Sequence, residues 1–519
     1  MRIRPILALI MAAILLVTCG CAPSAPAGGN KTDAEIAKQN RESRQIYLTL
    51  WSWQVPTAES AAEYARKAKD SGFTAIDFAV LWANFEPLEG HFDWAYLDSV
   101  VASFTAAGLK ISLQPLLWTK DLSWAEDLEL QEMESRKDYA VDGRGSFVSF
   151  ADAKTRKIVE NTLQNFALHA AGYGEHLTRW GVRLSCFGEF DYSVNEDLDY
   201  SGVFIRGFYD YLKDVYGSWQ KLSEARGLTV SSREELDAMA YGDVVEACYG
   251  DWRRFRQEQL LDLLDAVTAI FRSADPEVPI LFPLGTFGNG MNVAYSGVVD
   301  LWTAVNGADV DILGLSVCDG ADPGMMLALA TSLTTKKIAV EVDGAWALEE
   351  WRDVAAQVKI CGTYKAFSLS TANFTTAQLD AHKATLAQYP TLFSEDAALG
   401  ECDPTKGILI LSNAAVEVDP PKSYDALYGE VWSTLSENGA RRVRFVTEGQ
   451  VASGDVSLEG VTALYAGNIN GSVPVSRAFA DAFSSAEAKL VGKVSLLPTD
   501  GTAFPEDLKT ALAARIVAE

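Results

Sequence analysis

TAIDFAVLWANFEPLEGHFDWAYLDSVVASFTAAGLKISLQPLLW, residues 74–118, reads as strand, helix, strand. Two short apolar runs, 74–82 and 109–118, flank the amphipathic run 96–108, which stops at Gly108. Strands joined through a helix run parallel. The same rhythm extends in both directions from this unit, from Ile46 to about Tyr389. Its strands are IYLTLWSW (46–53), TAIDFAVLW (74–82), LKISLQPLLW (109–118), GVRLSCFGEF (181–190), VPILFPLGTF (278–287), VDILGLSVC (310–318), KKIAVEVDGAW (336–346) and KAFSLSTANF (365–374). Eight is the number that closes a (β/α)8 TIM barrel, so residues 45–395 are expected to form one. Asp121 to Ala153 and Tyr216 to Gly250 are too long for plain loops and are expected to wall its pocket.

A second unit, 400–519, carries GILILSNA (407–414), a helix-like SYDALYGEVWSTLSENG (423–439), RRVRFVTEG (441–449) and VTALYAGNI (461–469), then a helix near Val475 to Leu490. That is the rhythm of a smaller, flavodoxin-like α/β domain. No Ser-His-Asp or Cys-His set falls in it, which suits a structural or assembly role.

The N-terminus has the form of a bacterial export signal. Arg2 and Arg4 precede the apolar stretch Ile6 to Val17, and Cys19 and Cys21 follow. Residues 1–21 are expected to be a lipoprotein signal peptide with Cys21 lipidated, Cys19 being the alternative register, and 22–44 a flexible tether. The apolar stretch is shorter than a membrane span requires. The expectation is an extracytoplasmic protein that meets the bacterial cell membrane only through its N-terminal lipid anchor.

Cysteines 186, 248, 318, 361 and 402 contain no CxxC pair, and the histidines 91, 169, 176 and 382 show no metal-ligand spacing. No P-loop or nucleophile elbow is present, and the GTFGNG run from Gly285 is too weak a fingerprint for phosphate. No metal or cofactor is expected. A net charge of −26 repels nucleic acid and anionic membrane surfaces, and a neutral substrate suits it.

Glu189 and Glu341 each end an apolar run, by this count strands four and seven. The carboxyl ends of barrel strands hold the catalytic groups in this fold. Cleaving a glycosidic bond takes two carboxyl groups, one protonated to serve the leaving oxygen and one ionised. Glu189 is assigned as acid/base and Glu341 as nucleophile. Trp51, Trp53, Trp82, Phe85, Trp118 and Trp346 fall on the same predicted end, where an indole can stack on the C–H face of a sugar. Asp191, Tyr192, Asn289, Asp319, Asp343 and Asn373 fall at or just past strand ends, within reach of hydroxyls.

The segment 81–113 resembles the strand-two and helix-two signature of glycoside hydrolase family 42, the β-galactosidases. Its matching residues are Trp82, Phe85, Glu86, Pro87, Glu89, Gly90, Phe92, Asp93, Leu97 and Asp98. FIRGFYDYLKDVYGSWQKLSEARGL (204–228) is similar to the helix after that family's acid/base strand. The unit from Cys402 resembles its amidotransferase-like middle domain. The resemblance implies a retaining glycosidase that releases a terminal β-galactose from an oligosaccharide. It also implies a homo-oligomer, with Glu189 and Glu341 in the two catalytic roles and Glu86 among the substrate-binding residues. Two features depart from the pattern. Gly188 stands where the family has Asn before the acid/base, a Gly-Glu pair closer to the inverting β-amylases of family 14, and the zinc-binding cysteine cluster of some members is not reproduced. The alternatives are therefore an inverting, amylase-like hydrolase or a glycan-binding surface lipoprotein without catalysis.

Overall fold

The computed structural model describes residues 32–42, 45–119, 122–128, 130, 132–133, 147–184, 189–192, 198–284, 297–298, 301–317, 326, 329–330, 332–334, 336–343, 366–372, 383–384, 387, 407–411, 443–447, 450, 463–468 and 494–498. Helix α1 (Asp33–Glu42) leads into β1 (Gln45–Trp51), α2 (Ala58–Asp70), β2 (Ala75–Leu81), α3 (Ala95–Ala106) and β3 (Lys110–Leu116). There follow α4 (Ser123–Asp127), α5 (Ala153–Ala171) and β4 (Leu177–Gly181). Strands β5 (Ile280–Pro283), β6 (Ile312–Val317), β7 (Lys337–Asp343) and β8 (Ala366–Ala372) complete the set. All eight pair in parallel in sequence order, and β8 closes on β1 with Tyr47 opposite Ser370. The barrel read from the sequence is the barrel observed.

A parallel sheet covered by helices on its outer face is buried on both sides, so its strands are apolar along their length. β1 and β2 follow that rule, with every residue from Gln45 to Val80 within them buried. The charged residues inside these runs are therefore the informative exceptions: Asp77 on β2, Arg179 on β4 and Glu341 on β7. A charge retained in a barrel interior needs partners there.

Two boundaries differ from the sequence reading. Strand four starts at Leu177 and ends at Gly181, with Arg183 added by a bridge to Leu116. The run 181–190 therefore belongs mostly to the loop beyond the strand. Gly181 suits this crossing, because a Cβ there would lie 2.9 Å from the Leu281 carbonyl oxygen of β5. The expected tether 22–44 is also corrected at its far end, since 33–42 is helical. Arg41 anchors that helix, donating to the Leu177 carbonyl and pairing with Asp275 at 2.9 Å.

Between β4 and β5 the chain forms α6 (Gly202–Tyr216), α7 (Trp219–Arg226), α8 (Arg233–Asp237), α9 (Tyr241–Ala247) and the long α10 (Tyr249–Ala274). The segment 216–250 is thus mostly helical, held by the buried Leu222, Leu236, Val244 and Val245. The other long segment, 121–153, is tied to the end of β3 by the bridge between Trp118 and Phe147 and to itself by that between Glu132 and Val148. Strands β9 (Gly407–Leu411), β10 (Val443–Thr447), β11 (Ala463–Asn468) and β12 (Val494–Pro498) form a separate parallel sheet ordered β10-β9-β11-β12. The Phe445 N–H of β10 donates to Ser332 Oγ at 3.1 Å, linking that sheet to the barrel side.

Candidate active site

Glu341 is the fifth residue of β7, paired with Ser316 of β6 and Ser370 of β8. Its carboxylate accepts from Thr49 Oγ1 of β1 at 2.9 Å and from Arg183 Nη2 at 3.1 Å. Groups from β1, β7 and the end of β4 meet only inside a closed barrel. The carboxylate keeps 16% exposure, so solvent reaches it.

Glu189 lies in the loop beyond β4. Its carbonyl accepts the Leu184 N–H at 2.9 Å, and the next residue, Phe190, donates its N–H to Pro283 O of β5 at 2.7 Å. The loop is thus clipped to the C-terminal ends of two neighbouring strands, with Glu189 6% exposed. Arg183 lies within electrostatic range of both glutamates. Burial alone would depress its guanidinium, but Glu341, Asp77 and Glu189 outweigh that and raise its pKa above the ordinary arginine value.

Beneath Arg183 lies a buried polar layer. Asp77 receives Gln114 Nε2 at 2.7 Å on each oxygen and faces Arg179 at 3.3 Å and Arg183 at 3.4 Å. Burial would raise the Asp77 pKa; the two arginines, with Ser112 and Gln114, reverse the sign and hold it below the ordinary carboxylate value. Arg179 lies 3.9 Å over the Tyr47 ring, and Arg183 lies 5.0 Å over that of Trp51. A small interior pocket lined by Asp77, Arg179, Arg183, Ser316 and Glu341 opens in this layer.

Trp51 joins the charged groups to an aromatic platform. Trp53 stacks on Trp51 at 4.9 Å and on Trp118 at 5.8 Å, with interplanar angles of 15° and 17°. Trp53 is 49% exposed, while Trp51 and Trp118 are buried. Of the described tryptophans expected to meet sugar, Trp53 is the exposed one.

Trp82, by contrast, is fully buried, and its indole N–H donates to Glu86 Oε2 at 2.6 Å. The Glu86 carboxylate, 1% exposed, also accepts Thr162 Oγ1 at 2.6 Å and the Gly90 N–H at 2.8 Å. These bonds tie the β2–α3 connection to α5, and contact of Trp82 or Glu86 with substrate stays an expectation. Asp191 and Tyr192 are buried as well. Tyr192 donates its hydroxyl to the Arg256 carbonyl of α10 at 3.1 Å, with the Arg256 guanidinium 4.6 Å from its ring. Tyr192 is thereby packed against α10, and the substrate contacts expected of Asp191 and Tyr192 stay expectations. Asn289, Trp346 and Cys21 lie outside the described residues.

Sequence reasoning passed over Arg183, Asp77 and Thr49. The available signal was a charge inside an apolar strand run, which a barrel buries. Among the described residues no His, Cys, Asp and Glu cluster could hold a metal ion, and Cys248 is buried and free.

The closed parallel barrel thus places Glu341, Arg183 and the loop of Glu189 at the C-terminal ends of its strands, the face on which this fold builds active sites. Residues 51–296 match the model of glycoside hydrolase family 42, described as β-galactosidase. The β-galactosidase BbgII of Bifidobacterium bifidum is 23% identical over 266 residues, 48% of this chain. That match spans 35% of the relative's own length. A β-galactosidase structure from the haloarchaeon Halorubrum lacusprofundi superposes with a TM-score of 0.66 at 14% identity, over 89% of this chain and 75% of its own. The β-amylase catalytic domain of Paenibacillus polymyxa gives 0.55 at 16% identity, over 67% of this chain and 98% of its own. Over residues 51–296 the chain is thus similar to glycoside hydrolase family 42.

Proposed function

We propose that this protein is a glycoside hydrolase that releases a terminal β-galactose from an oligosaccharide with retention of configuration. Glu341 attacks the anomeric carbon while Glu189 gives its proton to the leaving oxygen, so the glycosidic C–O bond breaks as the glycosyl-enzyme ester forms. Water, deprotonated by Glu189, then attacks the same carbon and frees Glu341. The observation that carries this reading is the placement of the Glu341 carboxylate in the barrel mouth, held by Thr49 and Arg183, with Glu189 in range of the same arginine. Trp53 and Trp118 supply the stacking platform; Asn289 and Trp346 remain part of the proposed substrate set.

Turnover of a panel of nitrophenyl glycosides tests the reading, with the β-galactoside the fastest and Glu341→Gln inactive. No turnover on any sugar, or an unchanged Glu341→Gln, overturns it. The pair Gly188-Glu189 and the β-amylase fold likeness favour a second reading, inversion. Proton NMR of the first-formed anomer separates the two, since retention needs carboxyl groups roughly 5–5.5 Å apart and inversion roughly 6.5–9.5 Å. Binding of galactosides in calorimetry without any hydrolysis would select the glycan-binding alternative.

The same reading places the protein outside the cytoplasm on a lipid at Cys21. Detergent-phase partitioning that Cys21→Ala abolishes and Cys19→Ala does not supports this anchor. It also takes residues 400–519 as an amidotransferase-like α/β unit that helps a homo-oligomer assemble. A monomer in light scattering would count against that role.

A further inference from the structure

We infer that Arg183 is the positioning residue of this site, a bridge that fixes the Glu341 carboxylate against the interior anchor Asp77. The inference rests on the glycosidase reading above. Arg183 does not touch the anomeric carbon in that scheme; it acts through Glu341.

Four observations converge. The backbone of Arg183 is fastened to β3 on both sides, its N–H donating to Pro115 O at 3.0 Å and its carbonyl accepting from the Leu117 N–H at 3.1 Å. One guanidinium nitrogen, Nη2, reaches Glu341 at 3.1 Å and Asp77 at 3.4 Å. The Trp51 ring lies 5.0 Å from the guanidinium, restricting its tilt. Asp77, in turn, is locked by two short contacts from Gln114 and by Arg179. A planar guanidinium held by a backbone clamp, an anion and an aromatic face is already ordered before substrate arrives. The carboxylate it binds, held through Oε2 by Thr49 as well, loses rotational freedom. Preordering of this kind acts on the chemical step rather than on ground-state affinity. Lysine could not reproduce it, because its ammonium sits on a shorter, flexible stem with no planar group for the Trp51 ring to orient.

Asp77 also decides the charge balance. With Arg179 it gives a near-neutral pair beneath the site, so Arg183 is left to serve Glu341. The two arginines thus divide the work, Arg179 for the layer below and Arg183 for the reacting carboxylate.

The test uses the full chain and nitrophenyl β-galactoside, or whichever nitrophenyl sugar the panel shows to be fastest. Arg183→Ala is expected to lower kcat about 100-fold, the scale for deleting one preorganised electrostatic contact, with KM within about threefold. Added guanidinium ion, below denaturing concentration, is expected to restore part of the lost kcat. Arg183→Lys is expected to lower kcat by at least about tenfold, since its ammonium, on a shorter and flexible stem, is not held by a planar fork at the Nη2 position. Arg41→Met, which removes another buried ion-paired arginine far from the mouth, lowers Tm and leaves kcat in place. The inference is overturned if Arg183→Ala or Arg183→Lys keeps wild-type kcat, or if KM alone moves. It is overturned too if guanidinium restores nothing while the folded fraction is intact by circular dichroism. Should Arg183→Ala not fold, the Arg183→Lys result decides. A wild type inactive on every sugar refutes the glycosidase reading instead, and so does an active Glu341→Gln.

Discussion

Replacing Glu86 by alanine separates a structural carboxylate from a sugar ligand. The side chain accepts three donors, from Trp82 Nε1 at 2.6 Å, Thr162 Oγ1 at 2.6 Å and the Gly90 N–H at 2.8 Å. Truncation leaves all three buried without their acceptor, each orphaned donor costing about 1–3 kcal/mol. Straight addition gives about 3–9 kcal/mol, and because the donors share one carboxylate and water can enter the space, the lower half, about 3–5 kcal/mol, is expected. For a domain of this size each kcal/mol is worth about 2 °C, so Tm falls by about 6–10 °C. Thermal unfolding by circular dichroism reads that shift, and the galactoside KM of the folded enzyme at 20 °C stays within about twofold. A Tm within about 1 °C of wild type together with a KM raised tenfold would refute the reasoning and return Glu86 to the sugar pocket.

Trp53→Ala is expected to raise KM about tenfold, equivalent to about 1.4 kcal/mol of lost stacking, with little change in Tm because the ring is half exposed; an unchanged KM removes the platform from the site. Asp77 carries the pH dependence of stability. Its folded pKa is lowered, so its contribution is complete above the ordinary carboxylate value of about 4 and is lost as pH falls through the lower folded value. Urea midpoints measured from pH 6 to pH 2.5 should therefore fall less steeply in Asp77→Asn than in wild type, and parallel slopes would contradict the assignment. Gly297 has a φ of +90°, and a Cβ there would come within 2.5 Å of the Tyr192 ring. Gly297→Ala is expected to destabilise by about 2 kcal/mol or more, seen as a lower Tm, through strain and overpacking together.

The eight strands could be placed from the sequence because a parallel barrel buries both faces of each strand, leaving an apolar run in the chain wherever a strand occurs. Glu341 could be found for the same reason, as a charge inside such a run. Strand four was harder. Arg179 breaks the apolar signal of LTRWG, so the richer run 181–190 drew the assignment forward, although most of it is the loop that carries Glu189. The helical end of the segment 22–44 escaped notice because an alanine-rich polar stretch suits a tether as well as a short helix. What fixes that helix is Asp275, 234 residues away from Arg41.

The sequence by itself determined the kind of fold and a short set of candidate carboxylates, since burial and periodicity are local properties of a chain. Only the tertiary structure sorted the candidates. Trp53 and Trp82 look alike in the chain, yet one stands exposed in a three-indole stack and the other is sealed against Glu86. Asp77, Arg183 and Glu341 lie on three different turns of the barrel and acquire their relation when β8 closes on β1. Electrostatic partnership depends on distance in space, and barrel closure sets that distance.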